Sequence, residues 1–227
     1  MEERFVIAPV AHIKNAYKEK FGVPRQSGLV PSVKSVIVFS EEYRDENVVR
    51  GIDQYSHLWL LWGFSENGEN WSPTVRPPRL GGNKRVGVFA TRSPFRPNHL
   101  GLSCVKLESV EKTAEGNVLV VSGADLVDNT PIYDIKPYLP YVDCVPDALG
   151  GFSEDHKNDV VDVYFNDDVK NVLTESQIKE LSELLSLDPR PSYQNDVERV
   201  YAFSYDDFEV EFSFDGKRIV VSGIRKG

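Results

Sequence analysis

The sequence predicts a mainly β fold, with an antiparallel β-barrel domain in residues 1–150 and a small α+β domain in residues 151–227. Two observations point to this class. About six or seven short apolar segments separated by loops occur before residue 150, and such a series suits a closed or partly closed antiparallel barrel. After residue 151, one amphipathic helical pattern accompanies several strand patterns, which indicates one helix packed on a small sheet.

The composition favours a cytoplasmic protein without a membrane segment. The 227 residues are 41% hydrophobic and 27% charged, which is enough for one good core or two modest ones. No apolar run reaches the roughly 18 residues of a membrane span, and the N-terminus lacks the apolar region of a signal peptide. Cys104 and Cys144 have no Cys-x-x-Cys spacing, so two reduced thiols in the cytosol are the simplest interpretation.

Hydrophobic patterns predict three strands before the first basic segment. Residues 4–13 form the first candidate, although Pro9 restricts it to an edge or a bulge. Residues 33–39 alternate as a half-buried strand, and Ser40 is placed to cap a short helical turn after it. Residues 57–64 are a continuous apolar run, which predicts a strand buried on both faces.

The remaining patterns complete the barrel and build the second domain. Residues 85–90 are predicted as a strand in which Gly87 permits a ligand to come close. Residues 103–110 and 118–122 are predicted as a β-hairpin. A Thr-x-x-Gln capping box at Thr174 predicts the helix of the second domain. Further strands are predicted at residues 160–165, 200–205, 209–214 and 218–222.

One segment of this acidic chain is strongly basic. No carboxylate occurs between Glu69 and Glu108, although the protein has a formal net charge of -9. The positive residues in the segment are Arg76, Arg79, Lys84, Arg85, Arg92, Arg96 and Lys106. A local field of this sign favours a bound anion, whereas a solvated basic loop is the alternative.

The same segment carries a long motif of uncommon residues in fixed order. The motif comprises Arg76-Pro77-Pro78-Arg79-Leu80-Gly81-Gly82-Asn83, Gly87-Val88-Phe89-Ala90-Thr91-Arg92-Ser93 and Phe95-Arg96-Pro97-Asn98. It resembles the core motif of the TsaA-like family, the TrmO-type tRNA methyltransferases that use S-adenosylmethionine. The resemblance covers nearly the whole chain. It includes the segment from Asp125 to Tyr138, in which Asn129 replaces a family glycine; asparagine tolerates the left-handed conformation, so the turn is expected to persist.

The resemblance implies a set of contacts to S-adenosylmethionine. These residues are Pro24, Arg25, Gln26, Ser65, Glu66, Arg92, Leu102, Asp125, Leu126, Val127 and Asp128. The guanidinium of Arg25 suits the methionyl carboxylate of this cofactor. Ser65 and Glu66 stand where the family usually has a His-Gln pair, and both can still form hydrogen bonds. The alternatives are an ordinary turn at Pro-Arg-Gln and plain core packing for Leu102.

The chemistry that the resemblance implies is methyl transfer to N6 of threonylcarbamoyladenosine in the tRNA anticodon loop, by a homodimer without a metal. Asp134, Lys136 and Tyr138 would lie at or near the reacting centre, where a carboxylate or a phenol accepts the N6 proton. The alternative for these residues is a hydrogen-bonded turn and an ion pair at a barrel rim. The candidate cations for RNA are Arg76, Arg79, Lys84, Arg85 and Arg96.

Two other functions remain open on the sequence. The same barrel and basic loop would suit a module that binds RNA or a nucleotide without turnover. A hydrolase would use His57 with Asp53 or with a metal, but a histidine at the start of an apolar strand is more often structural. The histidines, His12, His57, His99 and His156, show no metal-ligand spacing.

Overall fold

The computed structural model describes residues 5–68, 70–80, 84–156, 159–190, 196 and 199–227. The strands in those residues are β1 (Ala11–Lys14), β2 (Lys34–Phe39), β3 (His57–Gly63), β4 (Thr74–Val75), β5 (Val86–Gly87), β6 (Leu100–Thr113), β7 (Gly116–Ser122), β8 (Pro131–Pro137), β9 (Asp162–Phe165), β10 (Val200–Tyr205), β11 (Phe208–Phe214) and β12 (Arg218–Lys226). The α-helices are α1 (Pro140–Asp143), α2 (Asp167–Lys170) and α3 (Glu175–Ser186). The predicted mainly β chain with antiparallel sheets is confirmed. No helix in the described ranges has the length and apolar character needed to cross a membrane.

Six strands pair in a closed cycle in the order β1-β2-β7-β6-β3-β8 and back to β1. All of these pairs are antiparallel. Alternate side chains of every strand therefore meet in one interior, because successive residues of a strand point to opposite faces. The apolar side chains buried there include Ala11, Ile13, Ile37, Leu58, Leu60, Trp62, Val105, Leu119, Val121 and Ile132.

The strand β3 is buried on one face only, so the prediction of burial on both faces is wrong. Leu58, Leu60 and Trp62 point into the closed sheet, while Trp59 and Leu61 are half-buried on its outer face. A continuous apolar run cannot distinguish these cases, because the outer face of β3 also holds large apolar side chains.

Two further strand predictions differ from the structure. The strand predicted at residues 85–90 is limited to β5, and Val88–Ala90 form a 3-10 turn instead. The strand predicted at residues 4–13 begins only at Ala11, because the ladder with β2 starts there; residue 4 lies outside the described residues. Ser40 does precede a short helical turn, Glu41–Tyr43, but its side chain does not cap it.

Residues 162–226 contain a four-stranded sheet in the order β10-β11-β12-β9, in which β9 runs parallel to β12. The helix α3 begins with the predicted capping box: Thr174 Oγ1 accepts from Gln177 N at 3.3 Å, and Gln177 Oε1 accepts from Thr174 N at 2.9 Å. Its buried residues Leu181, Leu184 and Leu185 pack in one apolar cluster with the sheet.

That apolar cluster also contains residues from the long connection between β1 and β2. Tyr17 is fully buried and forms a β-bridge with Tyr205, and Phe21 stacks against Tyr201 and Phe212 at centroid distances of 6.1 and 6.2 Å. The connection is therefore held against the C-terminal sheet on one side. On its other side, residues 23–26 face the closed sheet, where they line a cleft together with residues of β3 and β6.

Candidate functional site

A cleft of about 560 Å³ lies where the end of β3 and the start of β6 meet three loops. The predicted cofactor contacts that line it are Pro24, Arg25, Gln26, Ser65, Glu66, Arg92, Leu102, Asp125 and Val127. These residues come from five separate segments of the chain, so the fold gathers them. The cleft also contains apolar and aromatic walls that the sequence reading missed, from Trp59, Trp62 and Phe64.

Hydrogen bonds fix the loop that carries Pro24, Arg25 and Gln26. Arg25 Nη2 donates to the backbone oxygen of Asp188 at 2.7 Å, which ties the loop to the second residue beyond the end of α3. Arg92 Nη1 donates to Gln26 Oε1 at 2.5 Å across the cleft. Lys20 bonds to Glu66 O and, at 2.8 Å, to Asn67 Oδ1, so the loop is also joined to the end of β3.

Asp125 places a carboxylate in the wall of the cleft. Ser103 Oγ donates to Asp125 Oδ1, and Trp62 Nε1 donates to Ser103 Oγ at 2.9 Å, which forms a chain of hydrogen bonds from the barrel interior. Burial raises the pKa of Asp125 to about 6, and the Ser103 hydrogen bond and the charge of Arg92 oppose that rise. At neutral pH the cleft therefore holds a fixed carboxylate that faces a guanidinium.

The Trp62 ring packs directly against the backbone of Gly101 in the wall of the cleft. Gly101 lies opposite Trp62 in the β3–β6 ladder, and a Cβ at Gly101 would lie 2.3 Å from the Trp62 ring. Only glycine leaves room for that ring, because contacts below 3 Å are repulsive. The indole therefore forms a flat apolar surface beside Asp125.

The structure places two predicted cofactor residues differently. Leu126 is fully buried in the interior of the closed sheet, so its side chain cannot face the cleft. The carboxylate of Asp128 accepts hydrogen bonds from Asn15 N at 2.9 Å and from Lys18 Nζ at 3.2 Å, and thus joins the turn to the residues after β1. In that turn Asn129 has a φ of 64°, the left-handed conformation expected from the sequence.

The predicted catalytic residues lie on the outer face of the closed sheet and do not line this cleft. Asp134 and Lys136 stand beside Leu61 and Trp59 in the ladder and form an ion pair of 2.6 Å. The Tyr138 ring centroid lies 5.8 Å from that of Trp59. The pKa of the Tyr138 phenol is raised, mainly by loss of solvation and to a smaller extent by Cys144, Cys104 and Asp143. Trp59 links the two regions because it also lines the cleft.

The predicted RNA-binding cations fall into two groups. Arg76, Lys84 and Arg85 are exposed around the two-stranded ribbon of β4 and β5, where Arg85 Nη1 donates to Thr74 Oγ1 at 2.7 Å. The side chain of Arg79 and residues 81–83 of the motif lie outside the described part of the chain.

Arg96 has a different environment from the other cations. Its guanidinium donates to the backbone oxygens of Ser93 at 3.0 Å, Thr91 at 2.6 Å and Val88 at 3.4 Å, so it shapes its own loop. This loop forms one side of the cleft, and His99, with a φ of 49°, closes it through a 2.9 Å contact of Nδ1 with Pro94 O.

His57, the base of the hydrolase hypothesis, contacts its own neighbours in the structure. His57 Nδ1 lies 2.9 Å from the hydroxyl of the preceding Ser56, and the His57 ring contacts Tyr138 at a centroid distance of 6.2 Å. Over the described residues, no group of three or more His, Cys, Asp or Glu side chains is arranged to hold a metal ion. The side chain of His156 lies outside that description.

Comparison with known proteins gives matches along nearly the full length. The family model described as the tRNA-methyltransferase O N-terminal domain matches residues 12–144, and the TrmO C-terminal domain matches residues 158–227. A tRNA (adenine(37)-N6)-methyltransferase of Escherichia coli K12 is 43% identical over 217 residues, which cover 92% of each chain. A putative S-adenosylmethionine-dependent methyltransferase of Pseudomonas aeruginosa PAO1 is 37% identical over 217 residues, again with 92% of each chain covered.

A solved structure agrees with these matches. A crystal structure of TrmO from Pseudomonas aeruginosa has a TM-score of 0.79 and 28% sequence identity, and the match covers 98% of this chain and 100% of that one. The agreement therefore includes both sheets as well as the motif segments. On the two family matches and the full-length relatives, the chain belongs to the tRNA-methyltransferase O family.

Proposed function

We propose that this protein transfers the methyl group of S-adenosylmethionine to N6 of threonylcarbamoyladenosine at position 37 of tRNA. The observation that carries the proposal is the cleft, in which five separate segments bring nine predicted cofactor contacts together. The printed names of the relatives, which describe tRNA (adenine(37)-N6)-methyltransferases and S-adenosylmethionine-dependent enzymes, support the same reaction.

The residues of the cleft fit this cofactor chemically. Arg25 and Arg92 supply guanidinium groups for a carboxylate, and Asp125 supplies an acceptor for hydroxyl or amino groups. Leu102, 55% exposed in the cleft wall, and the Trp62 ring offer apolar surface for an adenine or a thioether chain. When bound, S-adenosylmethionine supplies an electrophilic methyl group on a sulfonium. The protein residues would orient it and keep bulk water away.

The substrate nitrogen has to lose a proton as it is methylated. N6 of threonylcarbamoyladenosine belongs to a ureido group, whose delocalised lone pair makes it a weak nucleophile until that proton leaves. Asp134 is the better acceptor of the two predicted groups, because the raised pKa of Tyr138 keeps its phenol protonated at neutral pH. Lys136, paired with Asp134 at 2.6 Å, would orient that carboxylate.

The separation between this cluster and the cleft favours a homodimer. Asp134 and Lys136 lie on the outer face of the closed sheet, whereas Arg92 and Asp125 line the cleft. A second subunit that packs near Trp59 would bring its own Asp134 cluster to the cleft of the first. A two-fold dimer produces two such composite sites, because its interface is the same patch on both subunits.

The tRNA anticodon loop would approach over the ribbon of β4 and β5. Arg76, Lys84 and Arg85 are exposed there and suit phosphate contacts, and Arg79 remains a predicted contact. In this proposal the barrel domain of residues 1–150 carries the cofactor. The α+β domain of residues 151–227 supports the Pro24–Gln26 loop through the bond from Arg25 to Asp188 O, and the reaction takes place in the cytoplasm.

The proposal is tested with methyl-labelled S-adenosylmethionine and tRNA that carries threonylcarbamoyladenosine. We expect label in the modified adenosine after the tRNA is digested to nucleosides and analysed by mass spectrometry, and no label with unmodified tRNA. A non-catalytic module for RNA or nucleotides, the alternative function, would bind both molecules without producing methylated nucleoside. That result would overturn the methyltransferase proposal.

A further inference from the structure

Three large aromatic side chains are exposed in the basic segment. Phe89 is 80% exposed, Trp71 53% and Phe95 52%. None of them belongs to the predicted contacts of cofactor or substrate. Single exposed apolar residues are common, but three exposed aromatic rings in one basic segment indicate a partner. We refer to Trp71, Phe89 and Phe95 as the aromatic rim.

Backbone hydrogen bonds hold the aromatic rim in one place. Ser72 N donates to Phe95 O at 3.2 Å, and Val88 N donates to Pro73 O at 3.0 Å. Each rim residue thus takes part in one of these two hydrogen bonds or is next in sequence to a residue that does. Arg96 adds bonds to the oxygens of Thr91 and Val88, so its side chain fixes the segment between the two phenylalanines. Rings on such a frame lose little conformational freedom when they bind.

The aromatic rim borders the cleft. Pro94 and Arg96, the neighbours of Phe95 in sequence, both line the cleft beside Arg92. The rim is also surrounded by cations, since Arg76, Lys84 and Arg85 are exposed on the adjacent ribbon. Exposed aromatic rings combined with cations are the chemistry that binds single-stranded nucleic acid, because bases stack on the rings and phosphates meet the charges.

We propose that the aromatic rim is a stacking surface for unpaired nucleotides of the anticodon loop, next to the adenosine that enters the cleft. This inference rests on the proposed function. The inference names the residues that would hold the RNA bases, whereas the cations would neutralise the RNA phosphates. An adenosine can reach the cleft only if it leaves the stack of its neighbours, and the rings of the rim replace part of the stacking that those neighbours lose.

A second copy of this chain is a less suitable occupant. A two-fold interface centred on the rim would bring the exposed Arg76, Lys84 and Arg85 of one subunit toward the same residues of the other. Like charges that face each other across an interface oppose association. A nucleic acid supplies the opposite charge and flat apolar bases together.

The test compares Phe89→Ala and Phe95→Ala with the unaltered protein, with anticodon stem-loop RNA carrying threonylcarbamoyladenosine as the probe. We expect each substitution to weaken RNA binding about 5- to 150-fold, the range that corresponds to loss of one stacked base. The dependence of log affinity on log salt should keep its slope, because no charge is removed. The affinity for S-adenosylmethionine, measured by calorimetry, should stay within about twofold.

Two further variants separate stacking from general effects. Phe89→Leu keeps an apolar side chain without a ring, so it should lose most of the affinity that Phe89→Ala loses. Tyr55→Ala is the matched control, because Tyr55 is an exposed aromatic residue before the start of β3, at the end opposite Phe64 and the cleft. It should bind RNA as the unaltered protein does.

A stem-loop with one abasic loop nucleotide completes the experiment as a double-mutant cycle. If a rim residue stacks on that base, the loss from the protein substitution and the loss from the abasic site should not add. The abasic nucleotide is placed at each loop position in turn. If the two losses add at every position, or if both alanine variants bind RNA with unchanged affinity, the stacking surface is overturned. Methyl transfer by the unaltered protein is not affected by either result. A change in sedimentation of the variants would assign the rim to subunit contact instead. Absence of RNA binding by the unaltered protein would overturn both proposals.

Discussion

The buried carboxylate of Asp125 lowers the stability of the folded protein at neutral pH, although the proposed cofactor site needs it. Burial raises its pKa from the ordinary 3.8 to about 6, so ionisation is costly in the folded protein. Below pH 3.8 the side chain is protonated in both states and its contribution to stability is fully present. Between pH 3.8 and 6 the folded state keeps a proton that the unfolded state releases, so that contribution is lost as the pH rises through the folded pKa.

Asp125→Asn removes this cost. We expect the free energy of unfolding at pH 7.5 to rise by on the order of 1–3 kcal/mol, and the difference to vanish near pH 4, measured by urea denaturation at both pH values. The affinity for S-adenosylmethionine should fall at the same time, because the anionic acceptor is lost. Asp134→Asn, in an exposed ion pair, is the control and should change stability by less than about 0.5 kcal/mol. An equal gain for Asp125→Asn at pH 4 and pH 7.5 would contradict this account.

Arg92 connects both walls of the cleft, through its bond to Gln26 and its charge near Asp125. Arg92→Ala should weaken S-adenosylmethionine binding about 10- to 100-fold, the scale of one charge-assisted hydrogen bond. Arg92→Lys should recover only part of this loss, because an ammonium lacks the planar fork. Arg76→Ala, a substitution on the ribbon, should leave the calorimetric titration unchanged but lower the salt dependence of tRNA binding. Equal titrations for Arg92→Ala and the unaltered protein would remove Arg92 from the site.

At the scale of residues, sequence reasoning selected the polar groups of the cleft and the apolar Leu102, and missed its aromatic walls. The resemblance selected Arg25, Arg92 and Asp125 through distinctive motifs, and the structure brings these three residues to one cleft. It gave no reason to select Trp59 or Trp62, because an apolar run does not show which side chains reach a cleft. The resemblance includes Leu126 because it belongs to a contiguous motif. Its neighbours Asp125 and Val127 line the cleft, whereas the side chain of Leu126 points into the core.

At the scale of elements, the helix α3 supports the site from outside it. Its capping box at Thr174 starts the helix, and the residue Asp188 just beyond its end accepts the bond from Arg25. Thr174→Ala should lower the free energy of unfolding by about 0.5–2 kcal/mol, the usual effect of losing such a cap. Chemical denaturation measures this loss, and Ser176→Ala, two positions on in the first turn, is the control with little expected change. If both variants unfold alike, the cap makes no specific contribution.

The short strand β5 shows why some elements escape prediction. Residues 85–90 have the composition of a strand, yet the ladder ends at Gly87. The guanidinium of Arg96 accounts for this. It donates hydrogen bonds to the backbone oxygens of Val88 and Thr91, so these oxygens do not need a partner strand. That contact comes from outside the segment, so no local pattern reveals it. The C-terminal strands were predicted closely, because their alternation and turns are local properties.

At the scale of the whole molecule, the proposed reaction joins residues of the cleft with residues on the outer face of the closed sheet. The cleft gathers Arg92 and Asp125, while Asp134 and Lys136 lie on the outer face. Within one subunit the two parts would meet across Trp59, which lines the cleft and neighbours Lys136 in the ladder, whereas in a dimer the cluster of one chain would complete the cleft of the other. The two arrangements differ in a measurable way, because only in a dimer do the cleft and the Asp134 cluster of a working site belong to different chains.

Mixing of two inactive variants tests this arrangement. Arg92→Ala damages the cleft and Asp134→Ala damages the outer cluster, so each homodimer should lose most of its methyl transfer activity. After subunit exchange, half of the dimers contain one chain of each kind, and each such dimer has one composite site with both parts intact. The mixture should therefore recover about a quarter of the unaltered activity. A mixture of Arg92→Ala with Asp125→Ala, which both damage the cleft, should recover none. If the first mixture also stays inactive although native mass spectrometry with one variant isotope-labelled shows that subunits exchange, then one chain supplies both parts of its own site.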